Sequence, residues 1–271
     1  MAGTSALAMT RLRFRRDAAR LTPGQAQEIR DAYDGMMRLS DADERSYARF
    51  AGLHGLPLPF ECQHGTPLFL PWHRAFLYFF ERSMRDRVPN ATLPWWNWAT
   101  PGTDSGTIPP LYGDEQAAGK PNPLFSATVS ERAQEQGAQQ QRPAPGPTTF
   151  RRPGIGGRTL PRAADVAALV EIRDFATFNR ILEEMHGQVH VWAGGHMQQI
   201  PYSGFDPIFW AHHTMVDRLW RLWQIRHNAV GPAAELWGQA LPPFPMTVEK
   251  TLDVTLLGYD YASSTASQPI A

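Results

Sequence analysis

Apolar and polar positions along this chain alternate mostly with the period of a helix. Behind Thr22-Pro23, a cap-type threonine followed by a first-turn proline, Ile29, Tyr33 and Met37 recur at helical spacing. A second helix is expected from Asp41 to His54, capped by Ser40. A third starts at His73, where Phe76, Leu77, Phe80 and Met84 form an apolar face and Glu81 stands one turn before Arg85, the spacing of a helical ion pair. Further on, Phe178, Ile181, Leu182 and Met185 mark a helix across Asp174 to Val191. Asp206-Pro207 reads as cap and first-turn proline of another, which carries His213, Val216, Leu219, Trp220 and Trp223 until Gly231-Pro232 ends it. Short extended pieces are expected near Thr251 to Leu257. Between the two helical halves, at about residues 101–165, the chain turns to Pro, Gly, Gln and Thr with brief apolar pieces such as Pro123-Leu124-Phe125, which predicts a long loop excursion. The fold class is therefore mainly α, with long loops and a few short strands.

Composition narrows this picture. A chain of 271 residues, 42% of them hydrophobic, can bury a sizeable core and suits one domain over residues 1–271. Twenty-six basic residues balance twenty-six acidic ones without a basic stripe, so neither nucleic acid nor an anionic membrane is an expected partner. The longest apolar stretch, Pro67 to Phe80, is broken by His73 and Arg74 and falls short of the roughly 20 residues a membrane span needs. Arg11, Arg13, Arg15 and Arg16 follow a short, weakly apolar start, the wrong order for a secretory signal. The expected location is cytoplasmic, or exported without a signal of its own. The single cysteine, Cys62, rules out an internal disulfide.

The candidate chemistry lies in histidine. Eight of the nine histidines fall into two clusters, His54, His64 and His73, then His186, His190, His196, His212 and His213. His186 and His190 stand one turn apart on one helical face, the separation that grips a single ion, and His213 can reach the same ion from the next helix. Imidazoles without a carboxylate or thiolate pair favour copper or zinc over calcium, magnesium or an iron–sulfur cluster.

These residues resemble the type 3 copper proteins: tyrosinases, catechol oxidases and haemocyanins. The resemblance is carried by Pro71-Trp72-His73-Arg74 leading to Phe80-Glu81, by Leu93-Pro94-Trp95-Trp96-Asn97-Trp98, by His186 and His190 with Gly194-Gly195, and by Asp206-Pro207 with Phe209, His212-His213, Asp217 and Trp220. It implies a central antiparallel four-helix bundle holding a dinuclear copper site. His54, His64 and His73 would be the ligands of one copper, and His186, His190 and His213 those of the other. His212 corresponds to a non-ligand, His196 has no ligand counterpart, and His227 is expected at the surface. The implied activity is that of a dicopper oxidase that takes O2 as co-substrate and converts o-diphenols to o-quinones, with o-hydroxylation of monophenols and oxidation of o-aminophenols left open. A haemocyanin-like oxygen carrier is the alternative, and a zinc or di-iron hydrolase a third reading. Small phenols and a copper-delivery protein are the implied partners.

Finer expectations attach to single residues. Cys62, two positions before His64, matches members in which the sulfur forms a thioether with that imidazole. Glu183 is the candidate for holding a catalytic water, although Gly187 stands where some members carry an asparagine that shares this task. Val191 and Ile200 are expected to line an apolar substrate entrance. Asp217 and Arg218 are read as structural, and Asn97 replaces a usual aspartate. Asn90-Ala91-Thr92 is read as a chance glycosylation motif. Tyr259-Asp260-Tyr261 resembles the pattern that closes the catalytic domain, so that with only Ala262 to Ala271 remaining a self-contained active form is expected.

Overall fold

The computed structural model describes residues 12–99 and 107–262. The remaining residues, which bear on a leader, on the start of the excursion and on the tail, lie outside the described residues. The chain opens with a short strand, β1 (Arg13–Arg15), followed by α1 (Pro23–Met37), α2 (Tyr47–His54) and α3 (Phe69–Arg87). The excursion then holds α4 (Pro110–Gly113), a two-stranded hairpin of β2 (Gln116–Ala117) and β3 (Lys120–Pro121), and α5 (Glu131–Gln139). Next come α6 (Ala163–Val170), α7 (Phe175–Ala193), the single turn α8 (Ile200–Ser203), α9 (Ile208–His227) and β4 (Tyr259–Tyr261). The protein is mainly helical with few short strands, as the hydrophobic pattern indicates.

Local chemistry sets the helix ends. Thr22 and Gln25 form a reciprocal capping box at α1, the Thr22 hydroxyl accepting from the Gln25 amide and the Gln25 side chain accepting from the Thr22 amide. Asp174 caps α7 by accepting from the Thr177 amide at 2.8 Å. α2 is shorter than expected: it starts behind Ser46, not Ser40, because Asp43 accepts from the Arg45 amide and guanidinium and closes a turn in place of the first helical turn. α3 begins one turn before His73, which Pro71 permits because a proline in the first turn gives up only an amide that has no helical partner. Asp206 accepts from the Ile208 amide at the start of α9.

Two further expectations change. The excursion is not loop throughout: its described part holds α4, α5 and a hairpin between turns and loop. Thr251 to Leu257 forms turns, with Asp253 accepting from Thr255; the strand lies just beyond, where β4 pairs in parallel with β1, Arg13 opposite Tyr259 and Arg15 opposite Tyr261. Among the described residues no helix is long and apolar enough to cross a membrane.

α3, α7 and α9 pack against one another, with α1 on the outer side of α3 and α2 on α8. Phe80 stacks on Trp210 at 3.5 Å between α3 and α9, within a buried aromatic layer that also holds Tyr33, Tyr47 and Phe76. Behind it, Asp217 of α9 accepts from Arg74, Arg15, Tyr259 and Tyr261. Burial works against the Asp217 charge, but Arg74 and Arg15 hold its carboxyl below the usual range. Arg15 and the two tyrosines thus tie both ends of the described chain to the helix that carries His213.

Candidate metal centre

Four helices and one loop bring the histidines together. His54 ends α2, His73 lies in the first turns of α3, His186 and His190 sit one turn apart on α7, and His213 lies on α9. His64 alone stands on a loop, the turn-rich stretch between α2 and α3. The donor atoms of His54, His73 and His213 lie within 4.8 Å of one another, as do those of His186, His190, His212 and His213, and those of His54, Cys62 and His64. His213 belongs to two of these groups and so joins them; its ring stacks on His73 with centroids 4.7 Å apart.

The hydrogen bonds fix which ring nitrogen faces inward. The Nδ1 atoms of His73 and His190 lie 2.8 Å from the carbonyl oxygens of Phe69 and Met197, and that of His186 lies 3.2 Å from the Glu183 carbonyl. A carbonyl only accepts, so each Nδ1 carries the proton and each Nε2 keeps a lone pair. His64 Nδ1 faces a carboxylate oxygen of Glu183 at 3.1 Å, with the same result. His54 Nδ1 faces the Ser203 hydroxyl, which itself donates to the Ile200 carbonyl.

The inward lone pairs then converge. The Nε2 atoms of His54 and His64 are 3.3 Å apart and those of His190 and His213 3.2 Å, while Nε2 of His73 and of His186 is buried without a hydrogen-bond partner. The lone pairs of His54 and His64 oppose each other at this distance and repel unless a cation lies between them, while the His213 ring, with no partner at Nδ1, is free to turn a lone pair to a metal. All-imidazole donors of this kind suit copper or zinc and fit the dicopper centre that the sequence motifs imply.

Burial keeps five of these imidazoles neutral. It lowers the basicity of His54, His73, His186 and His213 well below the ordinary value, with neighbouring histidines adding to the effect, and it brings His190 to about 4. The nitrogens are therefore free to bind a metal at neutral pH.

The other candidates are placed as follows. His212 is buried and stacks on His186 at 5.1 Å, with neither ring nitrogen hydrogen-bonded. His196 is buried outside the cluster, Nδ1 accepting from the Phe150 amide and Nε2 donating to the Gly146 carbonyl. His227 is half-buried and donates to the Val170 carbonyl. Gly187 and Val191 lie half-buried on α7, and Ile200 is 56% exposed. Among the described residues nothing stands within 4 Å of where a Gly187 side chain would begin. Cys62 is half-buried, and its thiol is pushed up to about 11 by burial.

Sequence reasoning missed the groups behind the ligands. Ser203 and the carbonyls of Phe69 and Met197 orient three imidazoles, yet no spacing advertises them. It also missed that the excursion buttresses the site. Arg152 donates to Ala193, Gly154 to Trp192 and His196 to Phe150, all through backbone amides, so residues 150–154 strap the end of α7 and the loop that holds His190. Gly194 and Gly195 have positive φ, and a side chain on either would strike the Arg152 or Phe150 carbonyl.

Comparison with known proteins agrees with this geometry. Residues 44–226 match the family described as the common central domain of tyrosinase. The chain is 33% identical over 198 residues to a tyrosinase of Streptomyces lincolnensis, covering 63% of this chain and 68% of that protein. It is equally similar, 33% over 202 residues, to an A-type hemocyanin of Enteroctopus dofleini, where the match covers 68% of this chain but only 16% of the much longer relative. Among solved structures, a copper-depleted variant of the active tyrosinase of Aspergillus oryzae superimposes with a TM-score of 0.76 at 18% identity, covering 98% of both chains. A functional unit of octopus hemocyanin gives 0.73 at 24% identity, over 93% of this chain and 68% of that one. The histidine motifs, the converging nitrogens and the tyrosinase-domain match lead to one conclusion: the chain belongs to the tyrosinase-like family of type 3 copper proteins.

Proposed function

We propose that this protein is a dicopper oxidase that converts o-diphenols to o-quinones with O2. In this reading His54, His64 and His73 hold one copper and His186, His190 and His213 the other. The bound pair of ions supplies the electron transfer that couples reduction of O2 to oxidation of the substrate. Two catechols give up four electrons and four protons, which reduce one O2 to two waters.

The observation that carries the oxidase reading is an approach to the cluster from one side. The His64 side chain is 26% exposed, its ring lies 5.6 Å from that of His186, and the adjoining Gly187 leaves open space among the described residues. A planar ring can enter over Gly187 to reach both halves of the cluster. Val191 and Ile200 offer that ring an apolar flank, which suits a neutral phenol or o-aminophenol more than an anion. The chain's own contribution is to keep the buried imidazoles neutral, to orient His64, His73, His186 and His190 through carboxylate and carbonyl acceptors, and to surround the cluster with Phe69, Phe76 and Phe209, which exclude water.

Cys62 belongs to the same proposal. Its sulfur lies within 4.8 Å of the donor nitrogens of His54 and His64. A thioether would form by loss of an S–H and an imidazole C–H and formation of an S–C bond, and the two protons and two electrons released would reduce O2, the co-substrate of this reading, to H2O2. Exchanging two bonds to hydrogen for an S–C bond is a two-electron oxidation, so this step needs that oxidant whatever the protonation of the thiol.

The similarity to octopus hemocyanin supports a second reading, reversible O2 carriage by the same six histidines. One experiment separates the two. Copper-loaded protein is mixed with 4-tert-butylcatechol in air while O2 uptake and quinone absorbance are followed. Steady O2 consumption with quinone formation is expected; reversible O2 binding without quinone would replace the oxidase with the carrier. Small phenols and a copper-delivery protein are the partners this function requires.

A further inference from the structure

Glu183 touches both halves of the cluster through different oxygens. Its backbone carbonyl lies 3.2 Å from Nδ1 of His186, one turn further along α7. Its carboxylate Oε1 lies 3.1 Å from Nδ1 of His64 and accepts from the Gly65 amide at 2.7 Å. Those are the only hydrogen bonds described for that carboxylate, and both reach the same loop.

His64 needs such an anchor more than any other ligand. His54, His73, His186, His190 and His213 are held by helical backbone, whereas His64 stands on a loop of turns. A loop ligand pays more conformational entropy on ordering and can rotate or exchange tautomers unless a partner holds it. A second tie runs from Asn179, also on α7, to the Thr66 carbonyl, but it does not touch the imidazole.

We propose that Glu183 is a positioning residue that locks His64 with Nε2 facing inward, and that it thereby couples copper loading at the His54, His64 and His73 site to the helix carrying the other site. This rests on the reading of the histidines as a copper centre. It assigns the carboxylate a task distinct from holding a catalytic water, since Oε1 is already engaged by the Gly65 amide and the His64 ring. Removing the side chain leaves the backbone carbonyl on His186 in place, so the two sites should respond unequally.

The test combines Glu183→Ala and Glu183→Gln with two readouts that do not depend on activity. Copper titration with a competing chelator should show two tight ions per wild-type chain. In Glu183→Ala one ion should weaken about 10–100-fold, as is typical when a group behind a metal ligand is removed, while the other is unchanged. Glu183→Gln keeps an acceptor oxygen and should restore the weakened ion to within a few-fold. Independently, side-chain 15N shifts of the metal-free wild type should show His64 protonated at Nδ1, with a mixture of tautomers in Glu183→Ala.

Two equally tight ions in Glu183→Ala overturn the proposal, as does equal weakening of both, or a Glu183→Gln chain as impaired as the alanine variant. Unchanged His64 tautomers overturn it as well. A wild-type chain that takes up no copper would sink the copper centre itself, and the 15N shifts of the metal-free chain would still decide the role of Glu183.

Discussion

His190 and His213 face each other through Nε2 at 3.2 Å, across the contact between α7 and α9. Nδ1 of His190 donates to the Met197 carbonyl, so its inward nitrogen is a bare acceptor. A metal ion between the two rings would take a bond from each inward nitrogen. His213→Ala should therefore lower copper content from two ions per chain to one or none, measured by elemental analysis after gel filtration, with helical content retained. A variant that keeps two tightly bound ions would show that His213 is not a ligand.

The same burial predicts how the metal-free protein responds to acid. An unfolded chain protonates its histidines below about 6.5, whereas folded His190 resists until about 4, and His54, His73, His186 and His213 shift in the same direction. Between these values the unfolded state binds more protons, so stability falls as the pH drops from about 6.5 towards about 4 and is flat above that window. Urea midpoints of the metal-free protein should be lower at pH 5 than at pH 7.5. Equal midpoints would mean that the ligands are not neutral in the folded state.

Asp217→Asn removes the negative charge that Arg15 and Arg74 share in the interior. Arg15 keeps Glu81 as a partner at 2.8 Å, but Arg74 loses the one carboxylate it meets among the described residues, and a buried guanidinium left without a counter-charge costs on the order of 3–5 kcal/mol. The melting temperature should drop by several degrees, in the metal-free and the copper-loaded protein alike. A variant as stable as the parent would show that the Asp217 charge is not what balances the buried guanidinium groups.

Much of this architecture is legible in the chain, and the exceptions share a cause. Thr22-Pro23 and Asp174 announce their helices because capping is local. β4 was displaced from the expected stretch because its partner, β1, comes from the other end of the described chain, and no period-two pattern in three residues reveals it. At the site, His186 and His190 declare themselves by spacing on one helix. The contact between Glu183 and His64 spans 119 positions and leaves no local trace. Ser40 and Ser46 are equally good caps in sequence, and only the turn closed by Asp43 and Arg45 decides between them.

Gly187 offers a direct test of substrate range. Among the described residues nothing lies within 4 Å of the Cβ position there, so Gly187→Asn starts into open space and adds an amide in the residue next to His186. If that amide is what hydroxylation of monophenols lacks, the variant should gain tyramine turnover at least several-fold while catechol turnover changes little. Equal tyramine rates in variant and parent would remove Gly187 as the determinant.

Cys62 is decided by mass. Copper-loaded, air-exposed protein, after chelation and denaturation, should weigh two hydrogens less than the sequence requires and give no free-thiol signal. Cys62→Ala should abolish the difference. A full mass with a titratable thiol would leave Cys62 as a small buried side chain.

The strap formed by residues 150–154 sets where this protein can be lengthened. The hairpin tip at Ala118 and Gly119 is exposed, so a linker, tag or inserted module there is borne by the surface alone. One extra residue between Phe150 and Gly154 would slide the strap against Gly194 and Gly195, whose backbone contacts leave no slack, and the shift would pass through the Met197 carbonyl to the His190 ring. The excursion is thus two materials in one sequence: an outer part open to redesign, and an inner part that belongs mechanically to the metal centre.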